Sequence, residues 1–235
     1  MRIDLNADVG EEYGQDAALM QCITSANVAC GHHAGSPTVM LDTVLLARDH
    51  GVAVGAHPGF DDREHFGRRD LQMPASEITD LVVRQVEALA SITVHACTKL
   101  QHVKAHGALY NMAVRDRRVA DAIARAVASV DTSLILLGLP ESELVAAGHA
   151  AGLRTAREAF ADRAYRPDGT LVPRSEPGAV IHDPEEVLAR VVVLAQRSNA
   201  DTICVHGDTP GAADLACRIR AKLELEKIEV RNFSA

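Results

Sequence analysis

A repeated alternation of short strand-like runs with longer helical stretches sets the tightest limit on the fold of this chain. Strands that alternate with helices form mostly parallel sheets joined by right-handed crossovers. The sequence predicts strands at residues 3–8, 25–30, 52–57, 100–106, 134–138, 154–160, 202–206 and 228–231, and helices at 37–50, 75–92, 118–130, 142–152, 184–197 and 211–225. So many units favour an α/β barrel of about seven parallel strands over an open sheet. Residues 1–235 contain no long linker, so we expect a single (β/α) barrel domain.

Composition argues against several classes of protein. The formal net charge is -8 and no run of Lys or Arg is present, so no nucleic-acid partner is expected. No window of 18 residues is apolar and uncharged, and the charged start lacks the apolar core of a signal peptide. The five cysteines contain no C-x-x-C pair, which argues against a disulfide scaffold or a structural zinc site. We therefore expect a cytoplasmic protein, in a reducing compartment, with no membrane partner.

Polar side chains share one face on several of the predicted strands. Side chains alternate along a strand, and parallel strands packed by helices must be apolar on the face that meets the helices. The polar face therefore looks into the barrel, and its residues gather at the C-terminal strand ends, where barrel active sites are built. A buried cluster of charges needs partners or a ligand. The candidates at these strand ends are Asn6, Asp8, Asn27, His57, Lys104, His106, His206 and Asp208.

Other polar residues of the same strands have a structural interpretation. Asp4 or Asn6 can tie strands together at the barrel floor, and His102 lies one layer deeper than His106. Small residues beside the candidates, such as Gly55, are expected to leave room for a ligand.

The loops after the strands add further candidates. In "CGHHAG" one of His32 and His33 is expected to face inward while the other contacts loop backbone, and the sequence leaves open which does so. Arginine side chains suit carboxylates and phosphates. "HFGRRD" provides Arg68 and Arg69, and "FADRAYRPDGTLVPR" provides Arg174. Residues 209–211 open a helix with free backbone N–H groups that can bind an anion, although no G-x-x-x-x-G-K-[ST] motif is present.

From the residues alone, two functions have to be weighed at this point. A metal-dependent amide or acetyl hydrolase acting alone would use Asp8 with His32, His57, His106 or His206 to bind Zn²⁺ or Mn²⁺. The absence of H-E-x-x-H and the charge of Lys104 argue against that function. A non-catalytic sugar-binding protein is disfavoured because aromatic residues, which stack on sugars, make up only 3% of the chain.

Six stretches of the chain carry a resemblance to a known family. They are DLNADVGEEYG, NVACGHHAGS, GAHPGFDDREHFGRR, HVKAHGALYN, FADRAYRPDGTLVPR and CVHGDTPGA, in this order from the first strand to the last helix. Together they resemble the LamB/YcsF family. The resemblance implies a distorted TIM-like (β/α) barrel related to glycoside hydrolases and polysaccharide deacetylases. Ser36 departs from the family pattern, which usually has an acidic residue there.

The resemblance also implies a function. The family acts with partner subunits B and C as an ATP-dependent 5-oxoprolinase, which opens the lactam of 5-oxo-L-proline to L-glutamate and uses ATP with Mg²⁺. The bound transition metal, if there is one, the residues that contact ATP and any homo-oligomer are left open.

The implied chemistry suggests roles for the candidate residues. The amide oxygen is phosphorylated, water attacks the carbon, and the ring nitrogen is protonated as it leaves. Asp8 or Asp208 would act as the base, His57 or His106 as the acid, and Lys104 would hold the oxyanion. The residues predicted to bind substrate are Asn6, Asn27, His32, Arg68, Arg69, Arg174 and His206.

Overall fold

The computed structural model of the protein describes residues 1–197, 200–208 and 211–233. The strands are β1 Arg2–Val9, β2 Ser25–Ala29, β3 Ala53–His57, β4 Leu100–Val103, β5 Ile135–Gly138, β6 Arg154–Phe160, β7 Thr202–Val205 and β8 Glu229–Val230. The helices are α1 Asp16–Leu19, α2 Pro37–Asp49, α3 Ala75–His95, α4 Gly107–Arg115, α5 Arg117–Val130, α6 Glu143–Ala150, α7 Pro184–Arg197 and α8 Ala212–Leu225. None of the helices in these ranges is long and apolar enough to cross a membrane.

The strands close into a parallel barrel. Their order is β2-β3-β4-β5-β6-β7-β1, and β1 also pairs with β2, which completes the ring. In the register of β1 with its neighbours, Asn6 lies opposite Ser25 on β2 and Cys204 on β7. The short β8 pairs only with the first residues of β1. The predicted α/β barrel of about seven parallel strands is confirmed.

The apolar faces of the strands pack against the surrounding helices, as predicted. Leu5, Val103 and Val205 are fully buried in one hydrophobic core, which also contains Leu89 of α3 and Ile123 of α5. Residues next to these in sequence are polar and point to the opposite side, because side chains alternate along a strand. This alternation places a polar layer inside the barrel.

Several helix ends follow the sequence signals. Ser36 Oγ accepts a hydrogen bond from Val39 N at the start of α2, and Pro37 occupies the first turn. Asp116 caps α5 in the same way. By contrast, α4 was not predicted: β4 ends at Val103 instead of residue 106, and α4 begins at Gly107.

One pair of cysteines differs from the expectation drawn from composition. Cys22 and Cys217 form a disulfide between the segment after α1 and helix α8. The two residues are 195 positions apart, so no local spacing could have indicated the pair. Cys30, Cys97 and Cys204 are free thiols.

Candidate active site

The deepest polar layer of the barrel ties strands to one another. Asp4 on β1 accepts hydrogen bonds from Ser25 Oγ (2.6 Å) and Thr24 Oγ1 (2.8 Å). It also accepts one from Thr202 Oγ1 on β7 (2.5 Å). Burial raises the pKa of the Asp4 carboxyl to about 6, although these three donors lower it. The expected role of Asp4 at the barrel floor is confirmed by these contacts.

Asn6 and Asn27 form the next layer, and both are fully buried. Asn6 Nδ2 donates to Thr202 Oγ1 (2.6 Å) and to Glu158 Oε1 (3.2 Å). Asn27 Nδ2 donates to Asn6 Oδ1 (2.7 Å) and to Asp8 Oδ1 (2.9 Å). Neither asparagine lines the large cavity at the mouth of the barrel. Both side chains therefore support the charged residues from behind the cavity wall, and their role in binding substrate stays a prediction.

His102 crosses the barrel interior because Gly55 leaves space for its ring. A Cβ atom on Gly55 would lie 2.0 Å from His102 Nε2, which hydrogen-bonds to Asn27 Oδ1 at 2.8 Å. Burial, assisted by the charge of Lys104, lowers the pKa of His102 to about 3. The neutral ring fits the structural role expected for His102. The space expected at Gly55 for a ligand is filled by this ring.

Lys104 lies inside the barrel with acceptors on several sides. Its Nζ donates to Asp8 Oδ1 (2.9 Å) and Cys204 Sγ (3.0 Å), and it lies 3.0 Å from Glu158 Oε1. Burial lowers the pKa of Lys104, but Asp8, Cys204 and Glu158 raise it well above its ordinary value. The ammonium stays charged, and its three N–H groups already have partners. An oxyanion could therefore reach Nζ only by displacing one of them.

Nearer the strand ends, four buried side chains point their polar atoms at one another. They are Glu11, His33, His57 and His106, which we call the histidine cluster, and their polar atoms lie within 4.8 Å of one another. His57 Nε2 and His106 Nδ1 are 2.9 Å apart. Glu11 Oε1 lies 3.4 Å from His33 Nε2, 3.6 Å from His106 Nδ1 and 3.9 Å from His57 Nε2. These residues come from the ends of β1, β2, β3 and β4, so the barrel alone brings them together.

Backbone carbonyl groups orient two rings of the cluster. His57 Nδ1 lies 2.8 Å from the Lys104 carbonyl oxygen, and His106 Nε2 lies 2.8 Å from the Phe66 carbonyl oxygen. A carbonyl oxygen only accepts, so both of these nitrogens carry a hydrogen atom. The other nitrogens, His57 Nε2 and His106 Nδ1, face each other inside the cluster.

Two carboxyl groups at the cluster, Glu11 within it and Asp8 beside it, have pKa values that are shifted in opposite directions. Burial raises the pKa of Glu11 well above its ordinary value, and the charges of Asp8 and Asp208 raise it further. Burial also raises the pKa of Asp8, but His57 and Lys104 hold it well below its ordinary value. These shifts favour the ionised form of Asp8 and the protonated form of Glu11.

His33 enters the cluster because two glycines leave room for its ring. A Cβ atom on Gly59 would lie 2.8 Å from His33 Nδ1, and one on Gly67 would lie 2.9 Å from His33 Cβ. His32 turns away, with Nδ1 3.6 Å from Asp61 Oδ1, and does not line the cavity. The inward histidine of "CGHHAG" is therefore His33, and the substrate contact predicted for His32 is not supported.

Arginines and Asp208 form the rim of the cavity. Asp208 Oδ2 accepts hydrogen bonds from Arg68 Nη2 (2.5 Å) and Arg174 Nη1 (3.2 Å). Burial raises the pKa of Asp208, but these arginines bring it below its ordinary value. Arg69 instead donates to Asp62 Oδ1 (2.8 Å), outside the cavity lining. The structure keeps Arg68 and Arg174 at the predicted site and removes Arg69 from it.

His206 lies just after β7 and stacks on Phe160, with ring centroids 5.4 Å apart. Its Nδ1 is 2.9 Å from Asp162 Oδ1. Burial raises the pKa of Asp162, but the nearby His206 brings it below its ordinary value. The ionised carboxylate accepts a hydrogen bond from Nδ1, which leaves His206 Nε2 for other partners.

A cavity of about 1120 Å³ joins these groups at the C-terminal end of the barrel. Most of the predicted side chains lie together in its lining, and the chemical roles of these residues remain predictions. The predicted residues that line this cavity are Asp8, His57, Lys104, His106, His206, Asp208, Arg68 and Arg174.

Sequence reasoning missed three buried carboxyl groups of the site, Glu11, Glu158 and Asp162. Glu158 had a usable signal, because it is a charged residue on a predicted strand and alternation points it inward. Glu11 and Asp162 follow strand ends inside the stretches that carry the family resemblance, but no periodicity applies to loops. The anion site predicted at 209–211 includes 209 and 210, which lie outside the described residues. Gly211 immediately precedes α8 and has a φ angle of 80°.

The sequence and the fold have clear relatives. The A subunit of 5-oxoprolinase from Rhodopseudomonas palustris is 49% identical over 252 residues, which cover 100% of this chain and 99% of the relative. A lactam utilization protein from Thermus thermophilus superposes with a TM-score of 0.93 at 43% identity, over 99% of this chain and 100% of that one. A T48 deacetylase shares the fold alone, with a TM-score of 0.52 at 14% identity, over 96% and 84% of the two chains. The model of the LamB/YcsF family matches residues 3–235, and the chain belongs to that family.

Proposed function

We propose that this chain is the A subunit of an ATP-dependent 5-oxoprolinase that opens the lactam of 5-oxo-L-proline to L-glutamate. That name is carried by relatives that match the whole chain. Within the site, the proposal depends most on Asp8, an ionised carboxylate at the base of a cavity of about 1120 Å³. That space is ample for a lactam with an added phosphoryl group, since pockets of ~300–1,000 Å³ hold drug-sized ligands.

The low pKa of Asp8 explains why ATP is required. A carboxylate held ionised by Lys104 and His57 is a weak base, and a lactam is a resonance-stabilised amide. Transfer of the γ-phosphoryl group of ATP to the amide oxygen makes the carbon electrophilic enough for water to attack with only weak assistance. Asp8 takes the proton of that water, the bond between carbon and ring nitrogen breaks, and the ring nitrogen leaves with a proton. This leaves the new carboxyl group as an acyl phosphate, which a second water hydrolyses to the free carboxylate and phosphate. The net reaction consumes 5-oxo-L-proline, ATP and two waters, and gives L-glutamate, ADP and phosphate.

His206 is the proton donor that we assign to the ring nitrogen. Its Nδ1 is bound to the Asp162 carboxylate, and the residue lines the cavity. This arrangement leaves Nε2 free to carry a proton to the substrate. His57 and His106, the acids suggested by the sequence, use their outer nitrogens on backbone carbonyls and direct their inner nitrogens at each other.

The substrate carboxylate binds at the rim. Arg68 and Arg174 both bind the Asp208 carboxylate. Their guanidinium groups therefore lie together at the rim, where they can also bind the carboxylate of the substrate. Arginine binds carboxylates with two parallel hydrogen bonds, which fixes both place and orientation. Asp208 is therefore a partner that holds the arginines in place and is not the base.

We assign the binding of ATP to subunits B and C. The sequence contains no G-x-x-x-x-G-K-[ST] motif, and its aromatic residues are few. ATP with Mg²⁺ is therefore brought or used by the partners, in the cytoplasm, where ATP is available.

A second candidate function is a metal-dependent amide or acetyl hydrolase that acts alone. The histidine cluster favours it, because catalytic zinc sites are built from imidazole and carboxylate ligands. This enzyme would need neither ATP nor subunits B and C.

The test measures release of L-glutamate from 5-oxo-L-proline in three mixtures. They contain the chain alone with ATP and Mg²⁺, the chain with subunits B and C and ATP, and the same complete mixture without ATP. We expect release only from the complete mixture with ATP. Asp8→Asn should abolish it, whereas Asp61→Asn, at an exposed aspartate, should not. A complete mixture that is inactive, or a chain that hydrolyses an amide or acetylated substrate alone without ATP, would overturn the proposal.

A further inference from the structure

The histidine cluster contains polar atoms that the protein leaves without partners. Among the described residues, Glu11 Oε1 and both ring nitrogens of His33 are buried and make no hydrogen bond. The two side chains are 4% and 0% exposed, so bulk water does not satisfy them. Buried polar atoms are almost always paired in folded proteins, and an exception indicates a missing ligand, ion or ordered water. The cluster therefore needs an occupant.

The hydrogen bonds of two rings narrow the choice of occupant. His57 and His106 each give their outer N–H to a backbone carbonyl. With both rings neutral, the lone pairs of His57 Nε2 and His106 Nδ1 meet at 2.9 Å, which is repulsive. Either an extra proton or a cation must lie between them. Histidines that bind a metal characteristically donate their other N–H to a carbonyl or carboxylate, as these two do.

The spacing of the four groups fits a tetrahedral ion. Ligands at ~2.0–2.1 Å from a zinc ion, with tetrahedral angles, lie about 3.3–3.4 Å from one another. The closest separations in the cluster are 2.9, 3.4, 3.6 and 3.9 Å, on both sides of that value. All the ligand atoms lie within 4.8 Å of one another, so the side chains would have to move closer together to bind one ion. A single proton would bind only one pair of nitrogens and leave Glu11 and His33 unpaired.

The surrounding charges also favour a cation. The charge of Lys104, which from sequence argued against a metal, is matched by Asp8 and Glu158 at 2.9 and 3.0 Å. The second oxygen of Asp8 lies 3.4 Å from His57 Nε2, which adds negative charge beside the cluster. Among the described residues, a second group of possible metal ligands, Asp8 with Cys204 and His206, is unsuitable, because Lys104 Nζ already binds two of its members.

We propose that Glu11, His33, His57 and His106 bind one divalent transition-metal ion, with Zn²⁺ as the reference ion. Imidazole ligands favour zinc and its neighbours in the first transition row, whereas Mg²⁺ and Ca²⁺ prefer oxygen ligands. Binding of the metal to the chain alone does not depend on the identity of the substrate. Its failure would therefore leave the lactam hydrolase proposal intact, and the reverse holds too.

The experiment measures metal binding directly. The chain is purified, stripped with a chelator and dialysed against Zn²⁺, Co²⁺ or Mg²⁺, and its metal content is determined by elemental analysis. We expect one ion per chain, a visible Co²⁺ spectrum of the tetrahedral type, and no comparable retention of Mg²⁺. Calorimetric titration with Zn²⁺ gives the affinity.

Two pairs of neighbouring residues provide matched variants. Glu11→Gln and His33→Gln should weaken Zn²⁺ binding by more than ~100-fold, since loss of even an outer-shell partner costs about 10–100-fold. Glu12→Gln and His32→Gln, whose side chains lie outside the cluster, should bind as the wild type does. If His33→Gln fails to fold, Glu11→Gln still tests the proposal, because the glutamine side chain has nearly the same shape as the glutamate side chain. A wild-type chain that takes up no Zn²⁺, or four variants with equal affinity, would overturn the proposal and leave a proton shared between His57 and His106.

Discussion

At the floor of the barrel the Asp4 carboxylate accepts three hydrogen bonds from hydroxyl groups, whereas at the mouth Glu11 Oε1 accepts none from any described residue. Both groups are buried, and burial raises the pKa of both. The floor is completed by its own strands, since Ser25 and Thr202 supply the donors. At the mouth, none of the described residues donates a hydrogen bond to Glu11 Oε1, although this atom is also buried.

Burial of polar groups therefore has two meanings in one barrel. A polar layer whose members pair with one another holds strands in register and needs nothing else. A polar layer with unpaired atoms is incomplete without a ligand. Lys104 lies between the two layers, because its Nζ contacts Asn6 below and Asp8 above. Substitutions in this middle layer, in the floor and at the rim should have separable effects.

The largest effect is expected at Lys104. Lys104→Met leaves the Asp8 and Glu158 carboxylates buried without their shared cation, and removal of one partner of such a set costs about 3–5 kcal/mol. We expect that loss in the free energy of unfolding measured with urea. In the assembled enzyme, turnover should fall by about 100-fold or more, the scale of one lost electrostatic contact. Lys99→Met, at an exposed lysine, is the control, and equal stability of the two variants would contradict the central role of Lys104.

The floor should show a smaller, pH-dependent effect. The pKa of Asp4 is about 6 in the folded protein against an ordinary 3.8, so the folded state favours the protonated carboxyl. Its contribution is complete below pH 3.8 and is lost as the pH rises through about 6. The stability of the wild type relative to Asp4→Asn should therefore fall by up to ~3 kcal/mol between about pH 4 and pH 7.

Urea unfolding of both proteins at several pH values measures this difference. The contributions of the other titrating groups to the pH dependence are the same in both proteins and therefore cancel. A constant difference across that range would mean that Asp4 is ionised in the folded protein at low pH as well. Asp4 would then behave as an ordinary ionised carboxylate, and the hydrogen bonds of the floor would not be enough to explain its burial.

The smallest effect is expected at the rim, where solvent screens charges. Arg68 and Arg69 are neighbours in sequence, but only Arg68 reaches Asp208 and the cavity. Arg68→Met should raise the KM of the assembled enzyme for 5-oxo-L-proline at least about tenfold, the value of a hydrogen bond to a charged group. Arg69→Met should leave KM unchanged, because its partner Asp62 lies outside the site. Equal changes in KM for the two variants would place the substrate carboxylate elsewhere.

Much of the floor could be predicted from the sequence, and less of the mouth. Asp4, Asn6 and Asp8 alternate on one strand, so their common direction follows from a period of two. The same rule found Lys104. It could not find Glu11 or choose His33 over His32, because these residues lie in loops after strands β1 and β2, where the backbone turns and the period ends. It also could not show that the Gly55 space holds the His102 ring, because that contact joins separate strands.

The alternation of strands and helices and the polar face of each strand follow from the order of the amino acids alone, because they depend on side-chain periodicity among near neighbours. The number of these units favours a closed barrel, but closure itself joins β1 to β7. Other choices were made only when the chain folded: His33 and not His32 turns inward, Arg68 and not Arg69 meets Asp208, and Cys22 pairs with Cys217. Such choices depend on distances between segments far apart in the chain, 140 residues for Arg68 and Asp208 and 195 for the cysteines. Packing of the whole barrel sets those distances, so no local pattern contains them.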